Sequence, residues 1–164
     1  LAPWVLGGLT LLALFILLRP HTFFPDKNYD FFWKTPSSPI IDIARQAQTQ
    51  TPRDAVFAIP LPETAFKFYS QRSCYIDYKT VVHRKDALPV WQERIETVYG
   101  IGKADREAGR DLTALAQKHF AERSEAELRA LAKDKFQFLL TTADSDLAFP
   151  IIATNKTYKI YRID

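Results

Sequence analysis

Ala55-Val56-Phe57-Ala58-Ile59, closed by Pro60, is an unbroken apolar run between two polar stretches. It is too short for a helix and shows no polar alternation, so it reads as a strand covered on both faces, the mark of an α/β layer structure. On its N-terminal side, Ser38 and Pro39 supply an N-cap and a first helical residue. Ile40, Ile41, Ala44 and Ala47 then fall on one helical face, and the pattern ends in Gln-Thr-Gln-Thr before Pro52. On its C-terminal side, Glu63 to Ser70 is ambiguous, with Ala65, Phe66 and Tyr69 at helical spacing. Cys74 to Tyr78 is a second β-rich run. Asp86 stands as the cap of a helix carrying Trp91, Ile95 and Val98 on one stripe, with Gly100 as terminator. Asp105 to Phe120 reads as one helix, and Ser124-Glu125-Ala126-Glu127 as a capping box that opens another. Phe136 to Thr141 returns to strand. Ile151 to Ala153 and Tyr158 to Ile163 flank Thr154-Asn155-Lys156-Thr157, a hairpin signal. Together these predict a small three-layer α/β domain with a mostly parallel sheet, its first three strands joined by right-handed crossovers, and a C-terminal β-hairpin.

The chain has 164 residues, 47% hydrophobic and 25% charged, with a net charge of +3. This suits one ordinary domain and excludes a disordered, collagen-like or disulfide-rich chain. The single Cys leaves the redox compartment open, and with no Met in the chain, Leu1 is expected to be a cut or processed end. All 22 Lys/Arg and 19 Asp/Glu lie beyond Leu18. The uncharged stretch Leu1 to Leu18, at about 1.5 Å per residue, spans ~27 Å of helix, close to the hydrocarbon thickness of a bilayer. A signal peptide would need a basic start and a small-residue cleavage site. The run has neither and ends in Arg19-Pro20-His21. Residues 1–18 are therefore expected to be a transmembrane helix, the last span of a longer protein. Residues 19–37, with Phe23, Phe24, Tyr29, Phe31, Phe32 and Trp33, are expected to form an aromatic linker at the headgroup level. Residues 38–164 form the soluble α/β domain. Arg19, Lys27 and Lys34 on the visible flank lean toward a cytoplasmic side.

Candidate chemistry is sparse. His21, His83 and His119 stand far apart and Cys74 has no partner at ligand spacing, so no metal site is expected. Gly100-Ile101-Gly102-Lys103 follows a helix rather than a strand and lacks the Lys-Ser/Thr pair of a phosphate loop. Ser73-Cys74 has no evident base, and no catalytic residue or cofactor is assigned. The mixed charges, with no basic stripe, argue against nucleic acid. Asn155-Lys156-Thr157 fits a glycosylation sequon, and a plain turn explains Asn155 equally well.

In open α/β sheets, ligands lie beyond the carboxyl ends of the strands. Here those ends carry Glu63 after the first strand, Asp77, Tyr78 and Lys79 after the second, and Thr141, Thr142 and Asp144 at the third. His83, Arg84 and Lys85 lead into a helix N-terminus, a ready anion site. Arg72 starts the second strand and is a further candidate, or lies at the far edge. Glu63, Arg72, Asp77, Lys79, His83 and Arg84 are therefore the candidate contacts for a phosphate or sugar-phosphate ligand. The competing reading makes them solvated loop charges with local pairs, such as Asp77 with Lys79.

The segments Thr51-Pro52-Arg53-Asp54-Ala55-Val56-Phe57-Ala58-Ile59-Pro60, Phe66-Lys67-Phe68-Tyr69-Ser70-Gln71-Arg72-Ser73, Tyr75-Ile76-Asp77-Tyr78-Lys79, Trp91-Gln92-Glu93-Arg94-Ile95 and Tyr99-Gly100 carry a resemblance. In this order they resemble the C-terminal domain of a family of uncharacterised bacterial polytopic membrane proteins. More distantly the chain is similar to the extracytoplasmic C-terminal domains of lipid-linked-sugar glycosyltransferases of the GT-C type. In those a "TP-x-DA" strand follows the last span, an "R-x-x-x-x-D" strand comes next, and a closing hairpin ends in Tyr-Arg, here Tyr161-Arg162. The resemblance implies that the domain is extracytoplasmic, against the charge lean, and that further spans precede Leu1. It also implies that the acidic catalytic residue lies in a loop outside this chain. The expected function is that of a non-catalytic domain of an integral membrane protein, helping acceptor or lipid-linked-sugar recognition. The alternative is a single-pass membrane-anchored ligand-binding or sensor domain. The lipid bilayer and the missing upstream helices are its expected partners.

Overall fold

The computed structural model describes residues 37–77, 85–133 and 135–163. The span expected at 1–18 and the linker to residue 36 lie outside these. Among the described residues no helix is long and apolar enough to cross a membrane.

The architecture is mixed α/β. In chain order come α1 (Pro39–Gln50), β1 (Val56–Ala58), α2 (Ala65–Ser70), β2 (Ser73–Cys74), α3 (Leu88–Tyr99), α4 (Lys103–Glu107), α5 (Leu112–Ala121), α6 (Glu125–Ala132), β3 (Phe138–Thr142), β4 (Ile151–Thr154) and β5 (Tyr158–Arg162). The strands form one sheet in the order β2-β1-β3-β5-β4. β1 pairs parallel with β2 and with β3, so the first three strands run the same way. β5 runs antiparallel to β3 and to β4 and closes the sheet as a hairpin edge.

Alternation along the strands sorts the core into two halves. Phe57, Phe138, Leu140 and Ile160 enter one cluster with Ile43, Ala44 and Ala47 of α1 and Phe66 of α2. Ala58, Leu139 and Tyr161 enter the other with Ile95 and Val98 of α3, Ala116 and Phe120 of α5, and Leu128 of α6. Successive strand residues point to opposite faces, so two clusters drawn from alternate residues mean a sheet buried on both sides. Phe57, fully buried, stacks on Phe138 and tilts against Phe66, each with ring centroids 5.0 Å apart. Burying one such ring contributes about 1.5–3 kcal/mol.

The bounds of β1, β3, β4 and β5 shift by a residue or two, and there are three further differences from the sequence reading. The helix expected from Asp105 to Phe120 is two helices. Gly109 adopts a left-handed φ of +63° that breaks the run, and the Asp111 side chain restarts it by accepting from the amides of Thr113 and Ala114. α3 begins at Leu88 with Ala87 rather than Asp86 in the cap position, because Pro89 fits the first turn and needs no partner there. β2 starts one residue earlier than expected and is only two residues long. Ser38 holds the N-cap position of α1 without a side-chain bond. Gly100, at φ +65°, ends α3 as expected, and a Cβ there would come within 2.8 Å of His119 Nδ1.

Arg72, only 9% exposed, enters the interior at the start of β2. Its guanidinium donates to the Gln48 and Thr51 carbonyls at the end of α1, to Thr51 Oγ1, and to the Ser70 and Gln71 carbonyls at the end of α2. Helix C-termini expose unpaired carbonyls and carry a partial negative charge, so a cation between two of them is stabilised without a carboxylate. Replacing Arg72 by Met should lower the unfolding free energy by about 2–4 kcal/mol, because buried carbonyls lose their donors. Arg72→Lys should recover less than half of that loss, since an ammonium cannot match the planar fork. Urea denaturation of the three proteins measures the series, and an Arg72→Met variant as stable as the parent would refute it.

Candidate functional site

β1 leads to β2 on one side, and β3 lies on the other, so the chain's path diverges at the β1/β3 boundary. Beyond the carboxyl ends of diverging parallel strands the connecting loops part and leave a crevice. A cavity of about 620 Å³ lies there, within the size range of small-molecule sites. Its floor is apolar, with Leu139, Phe120 and Leu128 drawn from β3, α5 and α6. Its rim is polar and comes from the turn after β1, the end of β3, the loop after it, the start of β5 and the N-terminus of α6.

Each rim element is held in place by its own bonds. Pro60 stops β1, and the turn after it closes with the Glu63 amide on the Pro60 carbonyl at 3.0 Å and the Phe66 amide on the Glu63 carbonyl at 3.1 Å. This sets Glu63 at the mouth, just ahead of α2. Tyr158 opens β5 opposite Thr142 of β3, and its hydroxyl donates to Glu63 Oε1 at 2.7 Å. The Tyr158–Glu63 bond therefore ties the hairpin edge of the sheet to the turn after β1. Burial pushes the Tyr158 phenol above its ordinary 10.0, and the bond to Glu63 and its negative charge push it further. The loop after β3 is pinned at Ser145, whose carbonyl accepts from Lys159 Nζ at 2.7 Å and from the Tyr161 hydroxyl at 2.8 Å. The Asp144 carboxyl sits below the ordinary carboxylate range because the Thr142 side chain donates to it. At α6, Ser124 and Glu127 form the expected capping box, and Glu125 Oε1 accepts from the Ala148 amide.

The three described candidates, Glu63, Arg72 and Asp77, do not come together. Glu63 lines the cavity, as do Thr141 and Thr142 of the third strand end. Asp77 lies elsewhere, paired with Lys67 at 2.8 Å, and its carbonyl accepts from the Trp91 indole. Arg72 lies at the opposite edge of the sheet, where strands β1 and β2 begin, in contact with helix ends. Lys79, His83 and Arg84 fall outside the described residues. Tyr158 and Arg123 are rim residues that the sequence reading missed. Tyr158 starts a strand that runs antiparallel to β3, so its amino end reaches the same edge as β3's carboxyl end; the hairpin signal could have pointed to it. Arg123 reaches the rim while bonding the Thr97 and Val98 carbonyls at the end of α3, a tertiary pairing with no local signature.

Cys74 is partly buried beside β1, and burial raises its thiol from 9.0 to about 12. A thiol held in its protonated form is a poor nucleophile. Among the described residues no group of three or more His, Cys, Asp or Glu is placed to hold a metal ion.

The fold and cavity define the class: a mixed α/β domain with a crevice at its topological switch point. Residues 38–98, which run from α1 through all but the last residue of α3, match the family described as "Domain of unknown function (DUF6798)". This is less than half of the chain, and it holds Glu63 but not the wall formed by α5, α6, β3 and β5. No curated protein and no solved structure matches the chain.

Cys74, Tyr99 and Tyr158 all keep their protons to higher pH in the folded state than their ordinary 9.0 and 10.0. Above those values the unfolded chain releases protons that the folded chain retains, so stability present at neutral pH is lost as pH rises. Melting temperature should thus fall steadily from about pH 9 upward, and Tyr158→Phe should shallow that fall while costing about 1 kcal/mol at pH 7. Circular-dichroism melts across pH 7–11 test this, and an unchanged alkaline slope in Tyr158→Phe would contradict the assignment.

Proposed function

We propose that residues 38–164 are the non-catalytic ligand-recognition domain of an integral membrane protein, serving acceptor or lipid-linked-sugar recognition in a membrane glycosyltransferase. The observation that carries this reading is the cavity at the β1/β3 switch point, with an apolar floor and a rim held rigid by Tyr158–Glu63 and the pinned Ser145 loop. A preorganised rim keeps the entropy cost of binding low, which suits recognition. The uncharged run Leu1 to Leu18 and the resemblance to extracytoplasmic domains of GT-C enzymes support the membrane setting and the extracytoplasmic side. On this reading bond breaking belongs to other parts of the protein, and the cavity holds one end of the acceptor or carrier in place.

Ala121 is the last residue of α5, exposed and on the cavity wall, so Ala121→Trp fills the space without disturbing the core. A ligand that binds only the folded state at 100 times its Kd raises stability by about 2.7 kcal/mol. The full chain in lipid nanodiscs should melt at higher temperature with a sugar ligand that carries no phosphate, and Ala121→Trp should abolish the shift. No shift with any sugar-bearing ligand, or a shift that survives Ala121→Trp, would remove the support for this function.

A further inference from the structure

The charges on the cavity wall run against those of the whole chain. Overall the sequence carries +3, yet Glu63, Glu125 and Asp146 line the cavity against one cation, Arg123. That cation is engaged: Arg123 donates to the Thr97 and Val98 carbonyls and lies 3.9 Å from Glu127. The neighbouring Lys159 directs its ammonium to the Ser145 carbonyl from outside the lining. Three of the rim hydroxyls are likewise turned toward protein acceptors. Tyr158 donates to Glu63, Ser124 to Glu127 at 2.7 Å, and Thr141 to the Thr142 carbonyl at 3.1 Å. The N-terminus of α6, ordinarily an anion site, already holds its own carboxylates, with the Ser124 amide on Glu127 Oε2 at 2.8 Å. Glu63, Glu125 and Asp146 therefore give the wall a net negative charge over an apolar floor.

We propose that this cavity selects a ligand bearing a cationic amine on an apolar body and turns away phosphate. This rests on reading the cavity as a recognition site and names the head group that site takes. Tyr158 occupies Glu63 Oε1, which leaves Oε2 to accept from the ammonium, with Asp146 adding charge at the exposed rim. The apolar body covers Phe120, Leu128 and Leu139. A phosphate in the same place meets carboxylates in a partly desolvated site, where like charges repel strongly.

The test uses three probes on one scaffold, 3-phenylpropylammonium, 3-phenylpropanol and 3-phenylpropyl phosphate. Each is titrated calorimetrically into the full chain in nanodiscs of zwitterionic lipid, with protein-free discs as the blank. The ammonium should bind at least ~10-fold more tightly than the alcohol, and the phosphate more weakly than the alcohol. Glu63→Gln should cut ammonium affinity by about 5–10-fold while leaving the alcohol within about twofold. Asp146→Asn, at an exposed position, should weaken the ammonium alone by a smaller factor. An alcohol as tight as the ammonium, a phosphate tighter than either, or ammonium affinity indifferent to both substitutions overturns the amine assignment. If the alcohol still binds in any of those cases, the cavity stands as a ligand site and only its selectivity falls. If none of the three probes binds, the recognition reading fails as well.

Discussion

Arg72 sets the constraint on which the arrangement of this domain depends. A guanidinium taken out of water costs several kcal/mol unless its donors are met. Here the α1 and α2 C-termini meet them through the carbonyls of Gln48, Thr51, Ser70 and Gln71. The residue before it, Gln71, takes a left-handed φ of +52°, the helix-ending conformation that swings the chain from α2 into β2. One buried cation thus fixes where two helices stop and where the edge strand begins. Because α1 packs on the sheet through Ile43, Ala44 and Ala47, the clamp also fixes one of the two layers over β1.

With that end of the sheet closed, the crevice lies at the opposite end. Parallel strands β1 and β3 deliver their carboxyl ends to the same edge, and the antiparallel β5 brings its amino end there too. Tyr158 of β5 and Glu63 of the β1 turn bond across the gap, so cavity geometry and sheet closure share one hydrogen bond. The Glu125 carboxylate bonded to the Ala148 amide does the same between α6 and the loop after β3. These long-range ties join loops that local sequence leaves independent.

The layer class and the closing hairpin were legible because they rest on local periodicity: the apolar run around Phe57, the capping box at Ser124, the turn at Asn155. The turn itself confirms how local that signal is, since Asn155 Oδ1 accepts from the amides of Thr157 and Tyr158. The split at Gly109 was visible in principle, but the helical spacing of Leu112, Leu115 and Ala116 beyond that glycine outweighed it. Of the candidate site residues, Glu63 was legible from its position after a strand. Arg72 could not be placed from its sequence position alone, because its partners lie 21 and 24 residues earlier as well as beside it. Arg123 was illegible for the same reason, reaching the rim through contacts between distant elements, whereas the hairpin signal could have pointed to Tyr158.

The difference between a cationic loop and an acceptor-lined cavity also shows why positional reasoning about ligands needs the sign of the wall. A helix N-terminus beyond a strand end suggests an anion when nothing else is known. At α6 the chain has filled that role itself, with Glu127 closing the capping box and Glu125 bonded to the facing loop. Glu127 accepts from the Ser124 amide, and Glu125, on the cavity wall, adds negative charge to the crevice. The bonds that hold the rim, from Tyr158 to Glu63 and from Ser124 to Glu127, thus also direct those donors inward to the protein.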